Sequence, residues 1–167
     1  TIETPGALGA SGLPALGERV AADRIFYGIP DVLGTLRHRY GGRRVLVVDD
    51  DAETRDLLLQ SLTVSGARVT TAESAREAFE HLRTEGADVI VSDIGMPGED
   101  GLSLMRRIRS LSGEPSRIPA IALTAYARPE DRAQAIEAGY QLHFAKPVEL
   151  AELKSGLATL TAIHTNE

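Results

Sequence analysis

The chain has 167 residues, of which 43% are hydrophobic and 25% charged, enough apolar material for a packed core and too much for a disordered chain. It has no cysteine, which excludes disulfides, a cysteine zinc site and thiol catalysis and fits a reducing cytosol; no apolar run approaches the roughly 20 residues that span a bilayer. Net charge is −6, but the first 44 residues carry +2 and the rest −8; an acidic main domain argues against nucleic acid as its direct ligand, because phosphate contacts need a basic face.

Position 1 is Thr, as expected of a fragment or processed chain, and no secretory leader pattern follows. Residues 1–17, TIETPGALGASGLPALG, read as a linker rich in Gly, Ala and Pro. Residues 18–40 space Val20, Ile25, Phe26, Ile29, Val32, Leu33, Leu36 and Tyr40 as two short amphipathic helices broken at Gly28–Pro30. GGRR at 41–44 marks a boundary. The expected organisation is therefore a linker or helical appendage over 1–43, a main domain over 44–163 and a tail over 164–167.

From residue 44 a regular alternation begins. RVLVVDD (44–50) is a short β-branched run, the pattern of a strand buried on both faces. AETRDLLLQSLTVSG (52–66) has helical spacing in Leu57, Leu58, Leu62 and Val64 and stops at Gly66, with Asp51 placed to cap its start. ARVTTA (67–72) is strand-like. Ser74 and Glu77 form a capping box ahead of a helix that ends at Gly86. ADVIVSD (87–93) is the third strand. Met96–Pro97 makes a rigid loop and Asp100–Gly101 a helix entry before GLSLMRRIRSL. Arg106, Arg107 and Arg109 are expected on that helix's solvent face. IPAIALTA (118–125) is the fourth strand. Pro129 and Gly139 bound a fourth helix. YQLHFAKP (140–147) is the fifth strand, and a last helix occupies 148–163. Five strands alternating with five helices predict an α/β fold, a doubly wound parallel sheet with right-handed crossovers. In such folds function collects at the C-terminal ends of the strands.

Those ends carry a coherent set of groups. Strand one ends in Asp49, Asp50 and Asp51, strand three in Asp93, strand four in Thr124–Ala125 and strand five in Lys146–Pro147. Clustered carboxylates repel one another and call for a hard divalent cation, for which Mg²⁺ fits. With a metal and Lys146 neutralising the cluster, an aspartate can attack a phosphoryl group and become an acyl phosphate. Asp93, alone on the central strand, is the candidate acceptor, and Asp49 and Asp50 are the candidate metal ligands.

VLVVDDD, VIVSDIGMPGEDG, IALTA and HFAKPV together resemble the signature elements of response-regulator receiver domains of two-component phosphorelay signalling. The resemblance covers roughly residues 43–162. Asp50, Asp93, Thr124 and Lys146 follow one another at intervals of 43, 31 and 22 residues, in agreement with it. It implies a flavodoxin-like strand order 2-1-3-4-5 and phosphorylation of Asp93 by a histidine kinase or phosphotransfer domain. It further implies Mg²⁺ held by Asp49, Asp50, Asp93 and the Gly95 backbone carbonyl, phosphoryl oxygens held by Thr124, the Ala125 backbone and Lys146, and a cis Lys146–Pro147 bond. The expected output surface, and possible homodimer face, is helix four, strand five and helix five. AGYQLHFAKPVE also resembles receivers fused to hybrid sensor histidine kinases. One position departs from the pattern: His143 stands where the family usually has Tyr or Phe as the switch partner of Thr124, and Phe144 beside it faces the opposite side of the strand.

Two rival classes remain. A phosphatase of the haloacid dehalogenase type needs Asp-x-Asp-x-Thr/Val; Asp49 and Asp51 fit, but Glu53 fills the last position and there is no room for a cap domain. A receiver fold can also serve as an interaction module without phosphorylation. His38, His81 and His164 are too scattered to form a metal set. The expected location is the cytoplasm, without membrane contact, and output is expected through partner contacts, the N-terminal segment or a domain outside this chain.

Overall fold

Five short apolar runs pair into one parallel sheet in the computed structural model, which describes residues 42–126 and 128–165. The strands are β1 (Arg44–Val48), β2 (Arg68–Ala72), β3 (Val89–Asp93), β4 (Ala120–Thr124) and β5 (Leu142–Ala145). Their order, β2-β1-β3-β4-β5, is the expected 2-1-3-4-5. The pairing is in register from Arg44 against Arg68 at one edge to Thr124 against Ala145 at the other. β3 is buried at all five positions, as a central parallel strand must be.

The helices are α1 (Ala52–Val64), α2 (Ala75–Thr84), α3 (Gly101–Arg109), α4 (Pro129–Ala138) and α5 (Leu150–Thr165). Their starts follow the chemistry read from sequence. Asp51 accepts from the Thr54 amide at 2.9 Å, Ser74 from the Glu77 amide at 3.1 Å and Asp100 from the Ser103 amide at 2.8 Å. The capping box at α2 is shifted by one residue: the Glu77 carboxylate reaches the amide of Glu73, 2.8 Å away. Pro129 opens α4 and Gly139 closes it at φ 121°.

Alternation along the strands divides the core. Leu46, Val48, Ile90, Ala120 and Ala122 join buried residues of α2, α3 and α4 in one cluster. The intervening Val45, Val47, Val89, Val91, Ile121 and Leu123 are equally buried, on the opposite face by the two-residue period of a strand. On α5, a side chain at Gly156 would come within 2.9 Å of Leu142 and 3.2 Å of Phe144. Phe144 therefore lies on the α5 side of β5, and its neighbour His143 on the other.

Some expectations needed correction. Leu57 and Val64 carry helical spacing but are 47% and 59% exposed; only Leu58 and Leu62 of α1 are buried. A 3₁₀ turn, Glu114–Arg117, precedes β4. Tyr140 and Gln141 lie before β5, where Gln141 brackets Ala120: its amide donates to the Ala120 carbonyl and its Oε1 accepts from the Ala120 amide. Arg109 is not a solvent-face residue. Its Nε donates to the Gly139 carbonyl at 3.1 Å and its Nη1 to the Ser116 carbonyl at 3.0 Å, tying three loops together. Arg107 pairs with Glu99 and stacks over Phe79, 4.0 Å from the ring centre.

Contacts gather Arg43–Thr63 and the chain from Arg68 onward into one unit; of the other, only Gly42 and Val64–Ala67 are described, with the Gly42 amide donating to Gly66. The two helices expected within residues 18–40 lie outside the described residues. Among these, no helix is long and apolar enough to cross a membrane.

Candidate functional site

The parallel sheet sends the ends of β1, β3, β4 and β5 to one edge, and four loops there assemble an acidic pocket. Asp49 follows β1 and is fully buried; Asp93 ends β3 and is 5% exposed. Asp50 is exposed at the rim. Each of the three can offer one carboxylate oxygen within 4.8 Å of the others. Lys146, after β5, extends its ammonium into this cluster, 2.8 Å from Asp49 Oδ2 and 3.4 Å from Asp93 Oδ1. The contact with Asp49 is a short ammonium–carboxylate ion pair, and an ionised carboxylate oxygen has a further lone pair beyond it.

Local bonds fix the carboxylates. Asp49 Oδ1 accepts from the Asp51 amide at 2.9 Å, and the Asp49 carbonyl from Arg55 at 2.8 Å. Asp93 Oδ1 accepts from the Gly95 amide at 3.3 Å. Burial and then the neighbouring Asp49 push the Asp93 carboxyl above its ordinary pKa, against the pull of Lys146. Burial opposes the charge on Lys146, but Asp49 and Asp93 outweigh it and raise its pKa. One ammonium among three carboxylates leaves the pocket under-neutralised. These hard oxygens, one with spare acceptor capacity, fit a divalent cation such as Mg²⁺.

Thr124 is buried at the end of β4, with its hydroxyl accepting from the Tyr126 amide at 3.2 Å and its carbonyl from the Lys146 amide at 2.7 Å. Ala125 follows it, exposed. The Lys146–Pro147 bond is cis. Gly95 is open: a Cβ added there would meet no atom within 4 Å.

His143 stands apart from this group. It pairs with Ala122 across β4–β5, and no hydrogen bond joins it to Thr124 among the described residues. Its Nε2 is buried without a partner. Burial and then Arg132 lower its pKa, while Asp131 raises it, so the ring looks toward α4.

Sequence reasoning missed Tyr140 altogether. It is 2% exposed, and its hydroxyl donates to the Gly101 carbonyl at 2.7 Å. Gly101 in turn must be glycine, because a Cβ there would lie 2.3 Å from the Asp93 carbonyl oxygen. This close approach was legible only as a Gly at a helix entry.

Residues 45–158 match the family model described as response regulator receiver domain. The chain is 50% identical over 110 residues to an uncharacterized 14.6 kDa protein of Leptolyngbya boryana, covering 65% of this chain and 82% of that one. It is 35% identical over 127 residues to the hybrid signal transduction histidine kinase D of Dictyostelium discoideum, covering 72% of this chain but 8% of the relative. It spans about half the length of several response regulators. The Francisella response regulator 1452 receiver domain superposes with a TM-score of 0.68 at 29% identity, over 73% of this chain and 98% of that one.

Proposed function

Because the chain belongs to the response regulator receiver domain family of two-component signalling, we propose that Asp93 is its phosphoacceptor. The observation that carries this reading is the Asp93 carboxylate itself: buried at the end of the central strand, 3.4 Å from Lys146 and beside Asp49 and Asp50. An Asp93 oxygen attacks the phosphorus of a phosphohistidine on a histidine kinase or phosphotransfer domain. The new O–P bond forms as the N–P bond breaks, and the imidazole leaves with the N–P electron pair and takes up a proton. Asp49, Asp50 and the Gly95 carbonyl would hold Mg²⁺ with Asp93, and the ion supplies charge neutralisation of the transferring phosphoryl group. Lys146, the Thr124 hydroxyl and the Ala125 amide bind the phosphoryl oxygens. The aspartyl phosphate carries about −1.5 to −2 charges if it titrates like other phosphorylated side chains, in place of the single charge of the carboxylate. Thr124 then exchanges its bond to Tyr126 for one to phosphate, which biases the α4–β5–α5 face toward a partner or a second copy.

Residues 44–163 act as this receiver, and 1–43 as a linker or helical appendage; its place is the cytoplasm. His143 contributes to the switch as a packing neighbour of α4. Open access at Gly95 admits water, so no unusually long phosphate lifetime is expected, and a half-life of many hours would contradict this.

Acetyl phosphate with Mg²⁺ tests the assignment. The wild-type chain is expected to gain one phosphoryl group and Asp93→Asn none. Label on Asp49 would indicate phosphatase-type chemistry. No label, with no amide shift near Asp93 and Thr124 under Mg²⁺ and beryllofluoride, would leave a phosphorylation-independent interaction module.

A further inference from the structure

Tyr140 heads the largest side chains buried in the core, and its hydroxyl has no part in the chemistry above. Burial drives its pKa well above the ordinary value, so it remains a donor at any physiological pH. That donor spans the interior to the opposite sheet edge. It sits before β5, yet its Oη meets the carbonyl of Gly101, the first residue of α3. The Gly101 amide donates to the Ile94 carbonyl at 2.9 Å and closes the loop that follows Asp93. The Gly101 backbone is also wedged against the Asp93–Ile94 peptide, too tightly for any Cβ. Within the same loop the Gly95 amide holds Asp93 Oδ1, and Ser92 Oγ donates to the Asp93 carbonyl at 3.0 Å. A rigid ring therefore connects the start of β5 to the backbone that carries the phosphoacceptor.

We infer that Tyr140 is a positioning residue for the site at Asp93: a strut whose hydroxyl, through Gly101, sets where the Asp93 carboxylate and the Gly95 carbonyl stand. This rests on the receiver reading. Partners one shell beyond a metal ligand typically change metal affinity or activity 10- to 100-fold, and misplacement by about 1 Å can cost about 100-fold in rate. Tyr140 acts through one intervening residue, so the low end applies.

The test is Tyr140→Phe in the full chain, which keeps the ring and removes one oxygen. Its half-saturating Mg²⁺ concentration, followed by the Gly95 amide resonance, is expected to rise by about 10-fold, and labelling of Asp93 by acetyl phosphate to slow by about as much at saturating donor. A purely structural role would lower the folded fraction and leave the half-saturation point in place. Ile118→Val, a core change outside the site, is the control and is expected to keep the wild-type Mg²⁺ curve. A folded Tyr140→Phe with wild-type Mg²⁺ binding and rate, or an equal shift in Ile118→Val, overturns the strut. Absence of label on wild-type Asp93 overturns the receiver reading instead, and the strut with it. Should the variant not fold, 3-fluorotyrosine in the otherwise unaltered chain gives the answer. The fluorine signal at 140 is expected to shift on adding Mg²⁺ and beryllofluoride, and a signal that stays in place overturns the proposal.

Discussion

Two aspartates flank the same strand and meet opposite fates. Asp88 precedes β3 and faces Arg44, whose amide donates to it at 2.7 Å and whose guanidinium donates at 3.1 Å. Burial pushes its pKa up, but the Arg44 bonds outweigh this and hold the carboxyl below its ordinary value. Asp93 ends β3 deeper in the protein, shares Lys146 with Asp49, and has its pKa raised. One edge pairs charge one to one at the surface. The other buries two carboxylates that share one ammonium. The first arrangement is complete, and the second has capacity left for a cation and a phosphoryl group.

Breaking each arrangement measures the contrast. Lys146→Met leaves buried carboxylates without their counter-ion and is expected to cost roughly 3 kcal/mol in urea unfolding without divalent ions. Added Mg²⁺ should recover much of that. A loss of the same size in Arg44→Met would erase the distinction between the edges. Gly101→Ala is expected to cost about 1–3 kcal/mol, because its Cβ would collide with the Asp93 backbone. Amide shifts at Asp93 and Gly95 should accompany it, whereas Gly86→Ala at the other edge, strained at φ 77°, should leave them alone. Asp88→Asn is the smallest change. Its pair is half-exposed, so less than about 1 kcal/mol is expected at pH 7. Folding lowers the Asp88 pKa from 3.8, so its contribution is present above that value and lost as pH falls through the folded pKa. Unfolding curves of Asp88→Asn and wild type should therefore differ above about pH 3.8 and draw together only as pH falls further, through the folded pKa.

Much of this was legible in the chain. Strands showed as β-branched runs, and Asp51, Ser74 and Asp100 announced helix starts because a cap is a local interaction. Asp49, Asp50, Asp93 and Lys146 were legible as a site because a parallel sheet brings strand ends together whatever the side chains between them. What stayed hidden depends on reach. Arg109 sits where helical period predicts solvent, but its long side chain lies along the surface and binds two carbonyls. Leu57 and Val64 have core spacing on a helix whose buried stripe is narrower than its apolar one. Tyr140 reads as the first residue of a strand; its bond to Gly101 crosses 39 residues, and no periodicity encodes that.

The turns of the quiet edge have a use of their own. Ser112, Gly113 and Glu114 are exposed, carry none of the site's groups, and lie just past the Arg109 clamp on Ser116 and Gly139. An inserted reporter domain would meet chain ends already gripped on both sides, with the site on the far edge of the sheet. Topology that concentrates chemistry at one edge leaves the other as a place for grafting.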